Sequence, residues 1–599
     1  MPERIGPSFI APNLVEFRVF APKAKNLTLQ LDHSSHAMHP VENSGFFSIR
    51  TEAAAGMRYG FQIDDGPSYP DPASRFQPDG VHKNSELIDL SGIERSCTNW
   101  KGIEGSDLII YELHLGTFTD DGTALAAIER LDELVDLGIT ALELLPVAQA
   151  AGNWNWGYDG VNLFAPANAY GRPEDLIALI DAAHRRGIAV ILDVVYNHFG
   201  PEGNYLFAYG GYLSKKHSTP WGDAPNYDGK KAGPLREFIL ENVRYWIEDF
   251  GFDGLRVDAT HFIKDTSSPH IVSEIGARVR ALETRLGRPL HLIGETNVYD
   301  PELITGIEEG GSAFDSLWCD EFLHAHFAQL KPGEHMASRE YRPGSDLSLI
   351  LSRGYAFHGT LTSPPGRHCP NEFPGTVARE PLVASIQNHD FIGNHPAGLR
   401  LHQITSHPAH RAAAALLILM PSTPMLFMGE EFACDSPFYF FVDFEDAHLR
   451  RAVERGRESD HPQHNWEAGP SPTSPDAFLK SKIGAANNGN QETLSWYKDL
   501  ITLRKEWRKT GTLTSEALRA EWDDEKQLVH LIFAENGEER FLIVRLHPVN
   551  TVAGAVPLTV EGEISLSQNI TTVAAEAGYL QIAAKPFAVI AGTGRAKIG

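Results

Sequence analysis

Residues 251–258 read GFDGLRVD and join a short apolar run to a charged end. Within this stretch, residues 254–257 form a candidate strand that ends at the carboxylate of Asp258. Arg256 and Asp258 are two residues apart, so an extended backbone directs both side chains to the same face. Short strands with polar residues at their carboxyl ends are typical of parallel α/β barrels, whose active sites form at that end. The stretch therefore predicts a parallel barrel with a site at its carboxyl edge.

Seven further apolar runs of this kind lie between residues 108 and 428, and amphipathic helices alternate with them. This alternation is typical of repeated βαβ units and a parallel sheet. The eight candidate strands are residues 108–111, 141–145, 189–195, 254–257, 290–293, 316–319, 383–386 and 425–428. Eight such strands predict an α/β fold, a closed (βα)8 barrel of the TIM type.

One of the intervening helices can be recognised from its spacing. Leu176, Leu179, Ile180 and Ala183 recur at i, i+3, i+4 and i+7, and Pro173 stands where a helix would begin. Such a stripe is typical of a face packed against a sheet. We expect it to be structural.

Two β-rich regions flank the barrel. Residues 1–92 hold short β-type runs separated by Pro, Gly, Asn and Asp, which predicts an immunoglobulin-like or carbohydrate-binding-like sandwich. After a last helix at residues 493–507, β-type runs return and predict a second sandwich at residues 515–599. Residues 93–514 are then the barrel, with long loop excursions at residues 157–187 and 199–233 where substrate specificity should reside.

The composition excludes several classes of partner. The chain has 599 residues, 42% of them apolar and 22% charged, and a net charge of -26. This charge repels nucleic acid and anionic lipid surfaces, and no apolar run is long enough to cross a membrane. We expect a neutral substrate, no nucleic acid and no membrane partner. The sequence predicts no particular oligomeric state.

The N-terminus and the cysteines bear on location. The first residues lack a basic stretch followed by an apolar core, so they do not resemble a secretory signal. Cys97, Cys319, Cys369 and Cys434 are widely scattered, which favours reduced structural thiols over disulfides or a zinc site. We expect a cytoplasmic protein.

Polar residues follow four of the predicted strands. Asp193 and then Asn197–His198 follow strand three, Arg256 and Asp258 end strand four, Glu295 follows strand five, and His389–Asp390 follow strand seven. Three carboxylates at one barrel edge are what a retaining glycosidase requires: one attacks the sugar, one donates a proton, and one stabilises developing positive charge. The four segments together predict an enzyme of this class.

Each carboxylate also has a structural explanation when taken alone. Arg256 and Asp258 could form a buried structural pair, whereas the guanidinium could equally hold a nucleophile ionised. Glu295 could cap a helix, whereas neighbouring carboxylates and partial burial would raise its pKa and keep the proton of a general acid. We expect the functional arrangement, because all the segments occur in one barrel.

A Gly-rich loop carries Trp154, Trp156 and Tyr158. Flat rings in such a loop can stack on the apolar faces of pyranose units. Core packing is the alternative for the two tryptophans. Tyr158, between Gly157 and Asp159, is the better candidate for a sugar contact.

Four segments resemble the signature regions of the α-amylase superfamily: DVVYNH at residues 193–198, GLRVD at 254–258, GE at 294–295 and NHD at 388–390. The resemblance implies that Asp258 is the nucleophile, Glu295 the general acid/base and Asp390 the transition-state stabiliser. It also implies that Arg256 orients the nucleophile and that other side chains surround the sugar, namely Tyr158, Asp193, His198 and His389. No cofactor is implied. Asn197 resembles a calcium-site position of some members, but we find no set of partner oxygens and expect no metal.

Within this superfamily the chain is most similar to the maltooligosyltrehalose trehalohydrolases. The likeness rests on YPDP at residues 69–72, QPDGVH at 77–82, YELHLGTF at 111–118, WGYDG at 156–160, YGRPEDL at 170–176 and DVVYNHFGP at 193–201. It implies hydrolysis of the α-1,4 bond next to the terminal trehalose of a maltooligosyl trehalose. The expected partner is therefore a maltooligosaccharide-type substrate with a trehalose end.

Some positions depart from that family. Residues 320–324 read DEFLH where the family has DDFHH, so Glu321 and Leu323 differ. Phe391 stands where Gln is usual, and His395 and Leu399 also differ. We expect these segments to lie beside neighbouring sugar subsites.

Three other functions remain open at this level. A glucan branching enzyme is the first alternative and an isoamylase-like debranching enzyme the second. A catalytically inactive glucan-binding scaffold is the alternative from a different class. For the hydrolase we expect retention of configuration, since nucleophile and acid should lie about 5–5.5 Å apart, and a bell-shaped pH dependence.

Overall fold

The computed structural model describes residues 4–334, 336, 339–359, 376–460, 465–535, 537–576 and 579–599. Eight parallel strands form a closed barrel, in which each strand pairs with the next along the chain and the last pairs with the first. They are β1 Ile110–Leu113, β2 Ala141–Leu144, β3 Ala189–Val194, β4 Gly254–Val257, β5 His291–Glu295, β6 Ser316–Trp318, β7 Leu382–Ala384 and β8 Thr423–Phe427. The predicted barrel is confirmed, and the ends of each strand lie within two residues of the predicted ends.

The register of the barrel places charged side chains beside one another in its interior. Glu112 on β1 is the partner of Glu143 on β2, and Asp193 on β3 is the partner of Arg256 on β4. Partners in register on parallel strands direct their side chains to the same face. All four side chains are buried. The barrel therefore has a polar layer under its carboxyl end.

Helices surround the barrel and its loops. They are Leu115–Phe118, Ala124–Ile128, Leu131–Leu137, Pro173–Arg185, Leu206–Tyr209, Gly233–Arg244, Ile271–Leu286, Pro301–Ile304, Glu321–Leu330, Ser345–Arg353, His389–Gly393, Leu401–Ile404, His407–Ile418, Ala447–Asp460, Pro475–Lys480 and Gln491–Lys509. The helix Gly233–Arg244 continues as a π-helical turn over Tyr245–Phe250.

The helix Pro173–Arg185 illustrates how local sequence sets an element. Its predicted apolar stripe, Leu176, Leu179, Ile180 and Ala183, is buried. Proline begins the helix, and the Asp175 carboxylate accepts a hydrogen bond from the backbone N–H of Arg172 at 2.8 Å. This bond satisfies a backbone donor that would otherwise lack a partner at the helix start.

The N-terminal region consists of two antiparallel sheets. The first contains Gly6–Ala11, Leu14–Phe20, His39–Pro40 and Phe46–Glu52, and the second contains Leu27–Leu31, Ser34–Ala37, Arg58–Ile63, Ser68–Tyr69 and Ser85–Glu86. Apolar side chains of both sheets share one core, in which the rings of Phe17 and Tyr59 meet edge to face at 5.2 Å. The two sheets thus pack against each other, as a sandwich requires.

The C-terminal region is a five-stranded antiparallel sheet. Its strands are Leu518–Asp523, Leu528–Glu535, Glu538–Arg545, Val556–Glu576 and Tyr579–Ile598. Leu558 pairs with both Ile582 and Ile598, so the long hairpin folds back on itself. Alternate residues of the third strand serve two cores: Leu542 packs toward the barrel and Phe541 packs under the folded hairpin. One continuous sheet therefore provides both layers.

Two sequence expectations about the chain can be compared with the structure. Across the described ranges, no helix has the length and apolar character needed to cross a membrane. Cys97, Cys319 and Cys434 carry free thiols. Cys369 lies outside the described residues.

Candidate active site

A cavity of about 340 Å³ opens at the carboxyl ends of the barrel strands. Four carboxyl groups line it: those of Asp258, Glu295 and Asp390, which the sequence singled out, and that of Asp159. Rings and polar groups complete its wall, from Trp156, Tyr158, His198, Trp221, His261, Phe262, His389, Asn394, Phe440 and Arg457. The structure thus brings together the three carboxylates that the sequence singled out.

Arg256 connects the carboxylates of three barrel strands. Its Nη1 lies 2.7 Å from Asp193 Oδ2 and 2.9 Å from Asp258 Oδ1, and its Nη2 lies 2.8 Å from Glu295 Oε2. The guanidinium is 1% exposed and lies 4.2 Å from the centre of the Trp318 ring. A planar guanidinium can bind several carboxylates at fixed angles, which an ammonium group cannot. Arg256 therefore fixes Asp258 and Glu295 relative to each other.

Asp258 is fixed by further contacts. Asn197 donates from Nδ2 to Asp258 Oδ2 at 2.7 Å and to the Asp258 carbonyl oxygen at 2.9 Å. The next residue, Ala259, has a φ of 40°, in the left-handed region that side chains other than glycine rarely adopt. This conformation directs its backbone N–H to Glu295 Oε2 at 2.7 Å. Backbone strain is thus held next to the two carboxylates.

The pKa values of Asp258 and Glu295 are displaced in opposite directions in this conformation. Burial and the neighbouring Glu295 charge raise the pKa of Asp258 well above its ordinary value. Burial also acts to raise the pKa of Glu295, but Arg256, His261 and the Ala259 N–H together hold that pKa below its ordinary value. The sequence had led us to expect the opposite distribution. The reason for the difference is that Arg256 binds both carboxylates rather than Asp258 alone.

His389 is buried beside the cavity and carries a positive charge. Its Nδ1 lies 2.5 Å from Glu112 Oε1, and its Nε2 lies 2.8 Å from the Tyr158 hydroxyl. Burial lowers the pKa of His389, but the charges of Glu112 and Asp390 outweigh burial and raise it to about 10. The imidazole ring also stacks on Tyr158 at 5.3 Å.

Tyr158 reaches the charged layer below the cavity. Its hydroxyl donates to Asp193 Oδ2 at 2.7 Å. The preceding residue, Gly157, has a φ of 110°, and a Cβ there would lie 2.1 Å from the Pro146 carbonyl oxygen. Only glycine fits this turn, so Gly157 sets the position of the Tyr158 ring.

Asp390 lies in the first turn of the short helix His389–Gly393. Its side chain is 46% exposed, and Asp390 Oδ1 lies 3.6 Å from His389 Nε2. Asn388 caps the helix by accepting from the Phe391 N–H at 2.8 Å, and its Nδ2 donates to both carboxylate oxygens of Asp320. The cap and the Asp320 contact hold Asp390 at the cavity wall.

His198 forms another part of the wall. Its Nε2 lies 2.9 Å from the Tyr158 carbonyl oxygen, and Trp221 stacks on its ring at 4.8 Å. Burial lowers the pKa of His198 to about 4, so the ring is neutral at neutral pH. Its Nδ1 contacts Asn197 Oδ1, so both ring nitrogens already have oxygen partners in the protein.

The predicted site residues occupy two levels. Tyr158, His198 and His389 line the cavity together with the three carboxylates. Asp193 and Arg256 lie buried beneath them, where they contact the carboxylates and Tyr158. These two side chains are therefore placed under the substrate cavity rather than in it.

Both tryptophans of the aromatic loop pack on the core, Trp156 at 2% exposure and Trp154 half-buried. Trp156 lines the cavity, and its Nε1 donates to the Tyr439 carbonyl oxygen at 2.8 Å. Trp154 instead stacks on Phe478 at 5.8 Å. Core packing is therefore the correct description for both rings, and Trp156 also reaches the cavity wall.

Several residues of the site were missed in the sequence, among them Trp221, Arg457 and Glu112. Trp221 belongs to the long excursion expected to carry specificity, so its aromatic character was a usable signal. Arg457 comes from the helix Ala447–Asp460, whose polar sequence gives no sign of a site. Glu112 lies inside an apolar strand and was not distinguished from its neighbours.

The positions that depart from the family pattern are mostly internal. Glu321 is buried, and its carboxylate accepts from the backbone N–H groups of Ala356 and Phe357 at 2.8 Å each. Leu323 and Phe391 are also buried, and Phe391 packs on Phe327. These side chains support the core. These three side chains lie outside the lining of the cavity, and the expectation that their segments border sugar subsites stays a prediction.

No group of three or more metal-binding side chains is present among the residues that the structure describes. Asn197, the position that resembles a calcium site, donates to Asp258 instead.

Comparison with known proteins places this geometry in a family. The family model described as the α-amylase catalytic domain matches residues 96–219. Malto-oligosyltrehalose trehalohydrolases from Saccharolobus solfataricus and Mycobacterium tuberculosis are each 38% identical to this chain. The first match covers 82% of this chain and 85% of the relative, and the second covers 86% and 90%. A branching enzyme from Bacillus cytotoxicus is 27% identical over only 51% of this chain.

Solved structures share the whole architecture. A structure described as a putative α-amylase from Salmonella typhimurium covers 99% of this chain and 100% of its own, with a TM-score of 0.85 and 31% identity. A pullulanase from Paenibacillus barengoltzii, in complex with maltohexaose and α-cyclodextrin, covers 99% of this chain and 96% of its own. Its TM-score is 0.69 at 18% identity, so this likeness concerns the fold alone.

Proposed function

The chain belongs to the malto-oligosyltrehalose trehalohydrolase family of α-amylase-type glycoside hydrolases, and we propose that it hydrolyses the α-1,4 bond next to the terminal trehalose of maltooligosyl trehalose. The products are trehalose and a shortened maltooligosaccharide. The cavity at the barrel edge accommodates a neutral sugar, since rings and hydrogen-bonding groups alternate on its wall.

Asp258 is the proposed nucleophile and Glu295 the proposed general acid/base. Asp258 attacks the anomeric carbon while Glu295 gives its proton to the leaving glycosidic oxygen, so that trehalose departs and a glycosyl ester forms on Asp258. Water, deprotonated by Glu295, then attacks the anomeric carbon of the glycosyl ester, which frees the Asp258 carboxylate and releases the sugar with its original configuration. Asp390 stabilises the oxocarbenium-like charge in both steps.

The proton must lie on Glu295 before attack, and we propose that the substrate brings this about. The glycosidic oxygen competes for Glu295 and separates it from Arg256. Of the two reacting carboxylates, Arg256 then pairs only with Asp258, which lowers the pKa of Asp258, while burial without the guanidinium raises that of Glu295. The present contacts support this exchange, because Asp258 and Glu295 share one guanidinium.

The other site residues are proposed to position the sugar. Tyr158, His198 and His389 contact the glucose unit at the cleaved bond from the cavity wall. Asp193 and Arg256 act from below, by holding Tyr158 and the two reacting carboxylates.

The observation that carries the proposal is the single guanidinium that holds both reacting carboxylates at the wall of the cavity.

The test is to incubate the protein with maltooligosyl trehalose and, separately, with amylose, and to measure free trehalose and new α-1,6 branches. We expect trehalose and no branches. Asp258→Asn should abolish trehalose release, whereas Glu308→Gln, a change at an exposed carboxyl group, should not. Branches, or no product from either substrate, would contradict the proposal.

A further inference from the structure

Glu112 is a buried carboxylate that the proposed mechanism does not use. It lies on β1, next to Glu143 on β2, inside the barrel. Both of its oxygens bind the same residue: Oε1 lies 2.5 Å from His389 Nδ1, and Oε2 accepts from the His389 backbone N–H at 3.1 Å. Glu112 thus orients both the ring and the backbone of a residue at the cavity wall.

A continuous chain of hydrogen bonds runs from this pair to Asp258. His389 Nε2 lies 2.8 Å from the Tyr158 hydroxyl oxygen, which donates to Asp193 Oδ2 at 2.7 Å. Asp193 Oδ2 in turn accepts from Arg256 Nη1 at 2.7 Å, and the same Nη1 donates to Asp258 Oδ1 at 2.9 Å. Every bond of this chain is short enough to be a hydrogen bond.

The direction of the protons along this chain depends on the state of His389. An imidazolium donates from both nitrogens, so the Tyr158 oxygen must accept from Nε2 and its own proton must point to Asp193. A neutral ring that keeps its proton on Nδ1 has an acceptor at Nε2. Tyr158 would then donate to His389, and Asp193 would lose one of its two donors.

We propose that Glu112 is a positioning residue of the site: it holds His389 as an imidazolium and thereby directs the Tyr158 proton to Asp193, which keeps Arg256 and Asp258 in place. This inference rests on the proposed hydrolase function. It adds Glu112 to Asp193, Asp258, Glu295 and Asp390 as a carboxylate on which the reaction depends.

The charged surroundings of His389 leave Glu112 as its principal counter-charge. The titratable groups that face it from the packed elements are Glu112, His114, Glu143, Tyr158, Asp193, Arg256, Glu295 and Asp390. Arg256 opposes protonation of His389, while Glu112 and Asp390 favour it. Of those two carboxylates, Glu112 touches the ring at 2.5 Å and Asp390 lies at 3.6 Å.

Glu143 provides a matched control. It occupies the adjacent register position on the next strand and is equally buried. Neither of its carboxylate oxygens has a hydrogen-bond partner, and burial followed by the nearby Glu112 raises its pKa well above the ordinary value. Glu143→Gln therefore removes no hydrogen bond that the structure describes.

The test compares Glu112→Gln with Glu143→Gln in the full-length enzyme. Trehalose release is followed from pH 4 to 10, and the imidazole of His389 is titrated by NMR, with His389→Gln used to assign its signals. In Glu112→Gln we expect His389 to titrate below pH 7 and kcat at neutral pH to fall about 10- to 100-fold. The deficit relative to the parent enzyme should narrow at acid pH, where His389 is protonated again. Glu143→Gln should match the parent enzyme.

Two results would overturn the proposal. One is a Glu112→Gln enzyme whose kcat and pH profile equal those of the parent. The other is a His389 that titrates near or below neutral pH in the unmodified enzyme, a measurement that does not depend on Glu112→Gln and holds even if that variant does not fold. Because the His389 titration does not depend on any substrate, it separates failure of this inference from failure of the proposed hydrolase function.

Discussion

Glu295 Oε2 lies 2.8 Å from Arg256 Nη2, on the guanidinium whose Nη1 binds Asp258. The two carboxylates therefore share one cation and differ in pKa according to how closely each is bound to it. With both bound, burial and repulsion by Glu295 raise the pKa of Asp258, while Arg256 holds the pKa of Glu295 below its ordinary value. On the proposed mechanism, a substrate that draws Glu295 away from Arg256 reverses the order of the two pKa values. Asp258 is then the ionised nucleophile and Glu295 the protonated acid that hydrolysis requires.

The pH dependence of turnover should reflect this exchange. In the free enzyme the raised pKa of Asp258 means that the reactive carboxylate is lost as pH falls through a value well above that of an ordinary Asp. With substrate bound, Arg256 stabilises that carboxylate and the loss occurs at lower pH. The acid limb of kcat/KM should thus lie at higher pH than the acid limb of kcat. If the two acid limbs coincided, or lay in the reverse order, binding would not move the proton between the carboxylates. The apparent pKa values of both limbs describe Asp258 and Glu295 together, because the two groups titrate as a coupled pair.

Glu295→Gln should separate acid catalysis from nucleophilic attack. Loss of the proton donor should lower kcat for maltooligosyl trehalose by about 10²- to 10⁴-fold. A maltooligosyl fluoride, whose leaving group needs little protonation, should form the glycosyl-enzyme almost as fast as in the parent enzyme. Asp258→Asn should lose both reactions, which can be followed by fluoride release. If Glu295→Gln impaired the two substrates equally, Glu295 would not be the acid.

Arg256→Met should destabilise the protein in a pH-dependent way. Removal of one partner from a buried ion pair costs about 3–5 kcal/mol, because it leaves uncompensated buried charge. In the variant, Asp193, Asp258 and Glu295 have no guanidinium, so their folded-state pKa values lie above the unfolded ones. Stability relative to the parent is then retained at acid pH and lost as pH rises through the folded-state values.

Thermal unfolding at pH 5 and pH 8 measures this difference. The deficit of Arg256→Met should be larger at pH 8. Arg256→Lys keeps a charge and should be less destabilised, yet its single ammonium cannot bind all three carboxylates in the same geometry, so its kcat should still fall. A deficit independent of pH would mean that Arg256 acts through packing alone.

The barrel could be predicted because its signals are local. Short apolar strands alternate with striped helices, and the helix Pro173–Arg185 shows the proline, the acidic first turn and the buried stripe that its sequence specifies. Asp258 and Glu295 were found for the same reason, since each stands at the carboxyl end of a strand. Barrel topology then brings adjacent strands, and with them these residues, to one edge.

Other features depend on contacts between distant segments. The bond between Arg256 and Glu295 joins two strands and determines which carboxylate is protonated, and no local pattern encodes it. Glu112 is 277 residues from His389 and lies in an otherwise apolar strand. Arg457 reaches the cavity from a polar helix whose spacing suggests only a solvated surface.

The most direct test of the central claim is to trap the glycosyl-enzyme. Glu295→Gln is treated with a maltooligosyl fluoride, digested and examined by mass spectrometry, since the variant forms the ester but cannot activate water to release it. We predict a maltooligosyl adduct on the peptide that contains Asp258, and none after the further change Asp258→Asn. An adduct on a different carboxylate, or fluoride release with no covalent adduct, would contradict the account.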